Sequence, residues 1–74
     1  MEKIFSMQDI ANLVRKARKE QGITQEELAG VAGTGRRFIY DIENGKDSVQ
    51  IGKLLSVIQV LGLSCVITDT WKIR

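Results

Sequence analysis

The sequence predicts a single compact all-α domain of four to five helices with a short β-strand near its C-terminal end. Three observations lead to this class. Apolar residues recur at helical spacing along most of the chain, glycines separate the helical segments, and a β-branched run too short for a helix follows the last glycine. We assign residues 1–74 to one domain, because a chain of 74 residues builds only one hydrophobic core.

The first helix is predicted over residues 6–21. Ser6 and Asp9 have the spacing of a capping box, and Phe5 and Ile10 occupy the two positions of a hydrophobic staple. One apolar stripe follows, made of Ile10, Leu13, Val14 and Ala17. The basic residues outside this stripe are expected to be solvated, with phosphate contact as the alternative: Arg15, Lys16 and Lys19.

The second helix is predicted over residues 24–32 and the third over residues 34–44. Thr24 and Glu27 repeat the capping-box spacing, and a glycine turn separates the two helices. Thr34 is expected to cap the third helix, which ends at an Asn-Gly pair. The inward face of the third helix consists of Ile39 and Ile42. These signals therefore predict two short helices joined by a tight turn.

The fourth helix is predicted over residues 48–61, with Asp47 and Ser48 as N-capping groups. Its core stripe is expected to contain Ile51, Leu54, Leu55, Ile58 and Leu61. Val57 and Val60 lie outside that stripe, so the apolar surface of this helix is wider than one small core requires. A second contact surface is therefore expected.

A strand is predicted over residues 63–68. A single strand exposes unpaired backbone groups along both edges, and the same strand of a second copy is the simplest partner. We therefore predict a twofold homodimer. Trp71 has little core to enter in one subunit, so it packs across the dimer or contacts another protein. The predicted dimer interface contains Val57, Val60, Leu61, Leu63, Cys65, Val66, Ile67 and Trp71.

The composition disfavours several classes of protein. The chain has no histidine, and its one cysteine, Cys65, lies in an apolar run and forms no internal disulfide. No metal-ligand spacing, phosphate-binding glycine loop or nucleophile motif is present, so we expect neither an enzyme nor a cofactor. No apolar run approaches the roughly 20 residues that span a bilayer. A location in the bacterial cytoplasm, associated with the nucleoid, is expected.

Two adjacent arginines open the third helix. Positive charge at a helix N-terminus costs about 0.3–1 kcal/mol, because the helix dipole is already positive there. Arg36 and Arg37 therefore favour an anionic partner, although a solvated charged turn is the alternative. Because a recognition helix commonly presents its N-terminal residues to the major groove, double-stranded DNA is the predicted partner. The net charge of +2 adds little to this argument, which rests on where the arginines lie.

These segments, which read ITQEELA, a glycine turn and FIYDIENGK, resemble helix-turn-helix domains of the phage-repressor or XRE type, with their lambda-repressor-like fold. With Leu54-Leu55 and Leu61-Gly62-Leu63, they are similar more narrowly to HipB-like antitoxin regulators, which bind HipA-like kinase toxins. The resemblance covers about three quarters of the chain. In such proteins a short C-terminal strand pairs across the dimer. Departures are Gly35, where many members have serine, and Asp47, near which many have proline.

The resemblance implies roles for individual residues. Gln25 is expected to contact the DNA backbone and to support the recognition helix, while Arg18 and Glu43 form a structural ion pair. The groove-facing positions fall on Thr34, Gly35, Arg36, Arg37, Phe38 and Asp41. Phosphate or sugar contacts fall on Tyr40, Asn44 and Lys46. For one groove position, Phe38, packing in the core is an equal alternative.

The predicted function is that of a dimeric, sequence-specific regulator that binds a palindromic operator in double-stranded DNA. The resemblance implies the autorepressing antitoxin of a toxin-antitoxin pair, with a HipA-like kinase toxin as partner. Two alternatives stay open. One is a stand-alone XRE-type repressor without a toxin, and the other is a protein-interaction module that has lost DNA binding.

Overall fold

The structure, a computed structural model, describes residues 3–4 and 6–72 and is all-helical in that part of the chain. The helices are α1 (Met7–Glu20), α2 (Gln25–Ala32), α3 (Arg36–Glu43) and α4 (Ile51–Val60), followed by a 3-10 helix at Thr70–Lys72. The four predicted helices are therefore present. The Phe5 half of the predicted staple lies outside the described residues.

The capping signals of the first two helices are used as predicted. The Ser6 hydroxyl accepts a hydrogen bond from the Asp9 amide at 3.3 Å and caps α1. Thr24 and Glu27 form a complete capping box on α2, with both hydrogen bonds at 3.0 Å. The backbone and hydroxyl hydrogen bonds of Thr24 hold the pKa of the Glu27 carboxyl below its usual value. These local contacts satisfy amides that a helix N-terminus would otherwise leave without partners.

The turn between α2 and α3 is closed by backbone hydrogen bonds. Gly33 has a φ of +72°, which an L-residue adopts only at a cost. The amides of Gly33 and Thr34 donate to the carbonyls of Gly30 and Ala29, the paired pattern of a Schellman motif. The prediction that Thr34 caps α3 was wrong, because its backbone is committed to ending α2. Gly35 is the N-cap instead, so α3 begins without a side-chain cap.

All four helices contribute to one core. Helix α3 packs against α1 and α2, and α4 packs against α2. The buried apolar residues are Ala11, Val14, Leu28, Ala29, Ile39, Ile42, Leu54, Val57 and Leu61. Two of these belong to the eight-residue α3, which is therefore fixed by its inner face while its outer face stays accessible.

Helix α4 differs from its prediction in start and in orientation. It begins at Ile51 with Gln50 as N-cap, so Asp47 and Ser48 do not cap it. Ile51 and Leu55 were expected in the core but are 64% and 43% exposed, whereas Val57 is fully buried. The true stripe is Leu54, Val57, Ile58 and Leu61, which has the same helical spacing shifted round the helix. Val57 and Leu61 thus belong to the core of their own chain.

Residues 63–69 have no regular secondary structure in this single chain. Leu63 packs against the core. The side chains beyond it that were expected to form a dimer interface are exposed, as is Val60 on α4: Cys65, Val66, Ile67 and Trp71. The predicted strand and its pairing across a dimer therefore stay predictions. In the described part of the chain, no helix has the length and apolar character needed to cross a membrane.

Candidate nucleic-acid interface

The outer face of α3 is a polar surface on a fixed support. Ile39 and Ile42 are fully buried, which sets the rotation of the helix about its axis. On the opposite side Arg36, Arg37 and Tyr40 are exposed. The spacing of one helical turn places Arg36 and Tyr40 close to each other along the outer face. The exposed turn of α3 thus carries two guanidinium groups and one phenol.

A buried carboxylate at the end of α3 holds three helices together. The Arg18 Nε lies 2.6 Å from one Glu43 oxygen, and Arg18 Nη2 lies 3.0 Å from the other. The Gln25 amide donates to the same carboxylate at 3.3 Å. Because the Glu43 side chain is only 2% exposed, these contacts lie away from solvent. They fix the end of α3 to the end of α1 and the start of α2.

The electrostatics of this cluster favour the charged form of both partners. Burial raises the pKa of Glu43, but hydrogen bonds from Arg18 and Gln25 and the charges of Arg18 and Arg15 bring that pKa below its ordinary value. The hydrogen bond to Glu43 raises the pKa of Arg18 further. Arg18 also donates to the Ile23 carbonyl at 2.9 Å, so each side of its guanidinium has a partner. The Arg18 guanidinium is thus engaged by contacts within the chain, and its side chain is only 12% exposed.

Arg15 is also part of this cluster, although we expected it to be solvated. Its Nη2 donates to the Glu43 carbonyl at 2.5 Å, and its Nε lies 3.8 Å from the Glu43 carboxylate. Arg15 and Arg18 are three residues apart and therefore share one face of α1. The sequence signal that could have identified this role is that spacing, combined with the acid at the last position of α3.

Arg37 is held by two neighbours on its own helix. Its Nε lies 3.1 Å from Asp41 Oδ1, and its guanidinium carbon lies 5.2 Å from the centre of the Tyr40 ring. The second oxygen of Asp41 lies 3.5 Å from the ammonium group of Lys46. The structure therefore brings together four of the predicted site residues. Asp41 is the one acidic residue among these four, and it forms an ion pair with both Arg37 and Lys46.

Arg36 differs from Arg37 in its surroundings. Its side chain is exposed and makes no hydrogen bond or ion pair to another described residue. It lines a shallow depression together with residues of the α1–α2 turn and the first turn of α2, which include Thr24, Gln25 and Glu26. Arg18 and Arg36 contribute two cationic side chains to this depression, and Glu26 contributes an acidic one.

The remaining predicted site residues lie at the edges of this surface. Phe38 is half-buried and packs against the core, and the Lys53 ammonium lies 5.9 Å from its ring centre. Asn44 donates from its amide to the Tyr40 carbonyl at 2.7 Å and so helps to end α3. Thr34 is half-buried and Gly35 is exposed, both directly before α3.

The chain is similar to a known protein family and to several known proteins. Residues 14–67 match the family described as "Helix-turn-helix". An uncharacterized HTH-type transcriptional regulator of Sinorhizobium fredii, y4mF, is 57% identical over 63 residues, which cover 85% of this chain and 83% of that protein. Antitoxin HipB of Escherichia coli (strain K12) is 32% identical over 68 residues, which cover 92% of this chain and 77% of HipB.

The fold of this chain is also similar to that of a chain in a solved structure. A chain in the structure of the HipA-HipB-O2-O3 complex has a TM-score of 0.85 and 33% identity, over 95% of this chain and 99% of that chain. The resemblance inferred from the sequence, to XRE-type regulators and more narrowly to HipB, is confirmed. The four-helix arrangement, the Schellman turn before α3 and the matched sequence lead to one conclusion. This chain belongs to the helix-turn-helix family of transcriptional regulators.

Proposed function

We propose that this chain is a sequence-specific regulator that binds double-stranded DNA through α3. The observation that carries the proposal is the contrast between the two faces of this helix. Ile39, Ile42 and Glu43 are buried and fixed, while Arg36 extends from the first turn without a partner among the described residues. A rigid helix with an uncommitted guanidinium at its N-terminus suits the major groove, where arginine binds O6 and N7 of guanine.

Each remaining site residue has a proposed role in this complex. Gln25 supports α3 through Glu43 and lies at the first turn of α2, where it reaches a phosphate. Thr34 and Gly35 allow close approach of the DNA backbone at the turn before α3. Tyr40, Asn44 and Lys46 contact phosphate or sugar groups and set the register on the duplex. Phe38 contributes mainly to packing, so its effect on DNA binding is indirect.

The proposed active unit is a twofold dimer. Exposed apolar side chains in the C-terminal segment, among them Val66 at 66% and Ile67 at 93%, support the pairing of that segment with a second copy. Two α3 helices related by a twofold axis fit a palindromic operator. Its half-sites would be about 34–36 Å apart, or a multiple of that distance, so that both helices enter the groove on one side of the duplex.

The test of DNA binding is fluorescence anisotropy with duplex from the region upstream of this gene, against scrambled duplex, at two salt concentrations. We expect selective binding whose logarithm of affinity falls with the logarithm of salt, by about 0.9 per neutralised phosphate. Arg36→Ala with Arg37→Ala should weaken specific binding at least about 10-fold, since each good arginine–guanine pair contributes about 1–3 kcal/mol. Lys16→Ala with Lys19→Ala, two exposed changes on α1 that alter the net charge equally, is the matched control. Equal weak binding to both duplexes would contradict the proposal.

We further propose that the chain is an autorepressing antitoxin with a HipA-like kinase as partner. The similarity to HipB supports this, as does the similarity to a chain of the HipA-HipB-O2-O3 complex. A kinase-like reading frame beside this gene should encode a protein that arrests growth alone and not when co-expressed with this chain. A reporter under the upstream region should be repressed by the chain. Repression without any such toxin would leave the stand-alone repressor as the function.

A protein-interaction module without DNA binding is the competing candidate. The exposed apolar residues Ile51 and Leu55 on α4 and Trp71 favour it, because they could form a contact surface for another protein. A module of this kind would retain its cellular function after Arg36→Ala with Arg37→Ala. The reporter experiment with this double variant therefore separates the two candidates.

A further inference from the structure

One carboxylate lies among the cations on the outer face of α3. Asp41 contacts Arg37 at 3.1 Å and Lys46 at 3.5 Å. The Asp41 side chain is 16% exposed, whereas that of Arg37 is 81% exposed and that of Lys46 is 52% exposed. Asp41 therefore lies beneath the two cations. A negative charge in this position opposes the attraction of the surface to phosphate groups.

The contact with Asp41 also restricts the orientation of Arg37. The carboxylate takes the Nε of Arg37, and the Tyr40 ring lies 5.2 Å from the guanidinium carbon. Asp41 and Tyr40 thus contact the guanidinium group at two places and narrow the orientations open to it. The two terminal nitrogens of Arg37 donate to no other described residue. These are two donors that can bind O6 and N7 of one guanine together.

We propose that Asp41 is a specificity-determining residue of this surface, which acts by positioning Arg37 rather than by contacting a base. This inference rests on the DNA-binding function proposed above. In the free protein Asp41 holds Arg37 with both terminal nitrogens outward, so less side-chain freedom is lost when guanine binds. The negative charge of Asp41 also weakens non-specific binding, in which the protein contacts only the phosphate groups of a duplex. Both effects increase the ratio of specific to non-specific affinity.

Under this proposal, Arg37 and Asp41 act together in setting the base preference. If Asp41 acts through Arg37, the two residues are coupled, and removal of Asp41 has no further effect on base preference once Arg37 is absent. A direct contact of Asp41 with a base, such as acceptance from a cytosine amino group, would instead act independently of Arg37. Coupling therefore distinguishes a positioning residue from a residue that reads the base itself.

The experiment selects duplexes from a random library with the wild type, Arg37→Ala, Asp41→Ala and the double variant, and measures affinities for selected and scrambled duplex. Glu20→Ala is the matched control, because it removes one exposed carboxylate from α1 and changes the net charge equally. Thermal unfolding of each variant is recorded alongside. The base preference of the selected pool is a readout that a purely structural role of Asp41 would not change.

We expect Asp41→Ala to raise affinity for scrambled duplex about 3-fold at low salt, since one repulsive charge is lost. The specific-to-non-specific ratio should fall about 10-fold, with loss of preference at one guanine. Arg37→Ala should lose preference at the same guanine, and the double variant should lose no more.

Unchanged discrimination in Asp41→Ala, additive losses in the double variant, or equal changes in Glu20→Ala would each overturn the role of Asp41 while leaving DNA binding intact. A wild type that selects no sequence would overturn both this inference and the proposed function.

Discussion

The Arg18 guanidinium and the Glu43 carboxylate form a two-point ion pair, at 2.6 and 3.0 Å, which connects α1 to the last turn of α3. Both groups are largely shielded from solvent. The side-chain amide of Gln25 donates a further hydrogen bond to the Glu43 carboxylate. The orientation of the exposed face of α3 thus depends on a contact that is itself largely hidden from solvent. Changes at this pair are expected to act through the fold.

Removing Arg18 should destabilise the domain strongly. Arg18→Ala leaves the Glu43 carboxylate buried with only Arg15 and Gln25 as partners, and loss of one partner of a buried pair costs about 3–5 kcal/mol. Urea unfolding should show this loss, whereas Lys19→Ala, an exposed change on the same helix, should change the free energy of unfolding by less than about 0.5 kcal/mol. Replacing both partners, with Arg18→Met and Glu43→Met, should recover part of the stability, because no buried charge is then unpaired. A domain unaffected by Arg18→Ala would show that the pair is not structural.

The stability of the domain should decline in acid through Glu43. Its pKa is lowered in the folded state from an ordinary value of 4.5, so the unfolded chain binds the proton first as pH falls. The contribution of Glu43 is therefore complete above about pH 4.5 and is lost as pH falls through its folded pKa. The free energy of unfolding, measured in urea from pH 7 to pH 3, should fall more steeply for the wild type than for Glu43→Gln. Parallel curves for the two proteins below pH 4.5 would contradict this assignment.

The sequence predicts α1, α2 and the turn before α3 well because their signals are local. The capping groups Ser6 and Thr24 and the glycine at the end of α2 act on residues within one helical turn. The sequence of α4 contains no comparable local signal. Apolar side chains surround much of it, so spacing alone did not show that Val57 is buried and Leu55 exposed. Which stripe faces the core depends on how α4 packs against α2.

In the candidate site, too, local sequence signals identify some residues, whereas others depend on contacts between distant parts of the chain. Arg36 and Arg37 stand out in the sequence because two cations at a helix N-terminus conflict with the helix dipole. The contact between Arg15 and Glu43 joins residues that are 28 positions apart, and the spacing of the two arginines on α1 does not by itself identify Glu43 as their partner. The predicted C-terminal strand is a third case, because its hydrogen bonds would come from another copy of the chain. Contacts distant in sequence or between chains need coordinates.

Two glycines near α3 should respond oppositely to substitution. Gly35 is the N-cap of α3 with an extended backbone at φ −85°, and no atom lies within 4 Å of a β-carbon built there. Gly35→Ser should therefore raise the free energy of unfolding by a few tenths of a kcal/mol, by supplying the missing cap. Gly33→Ala should lower it by about 1–2 kcal/mol, because its φ is +72°. Thermal unfolding measures both. Destabilisation by Gly35→Ser would show that the start of α3 tolerates no side chain.

The C-terminal segment should control dimerisation. Ile67 is 93% exposed in the single chain, and burying it against a second copy would remove that apolar surface from water. Ile67→Asp should convert the dimer to a monomer, because an unpaired carboxylate would have to be desolvated in the interface. Val31→Asp is the matched control, since Val31 is a comparably exposed apolar residue (72%) on α2. Sedimentation equilibrium at micromolar concentration should give twice the chain mass for the wild type and the control, and a single chain mass for Ile67→Asp. A monomeric wild type would contradict the proposed pairing, and a dimeric Ile67→Asp would place the interface elsewhere.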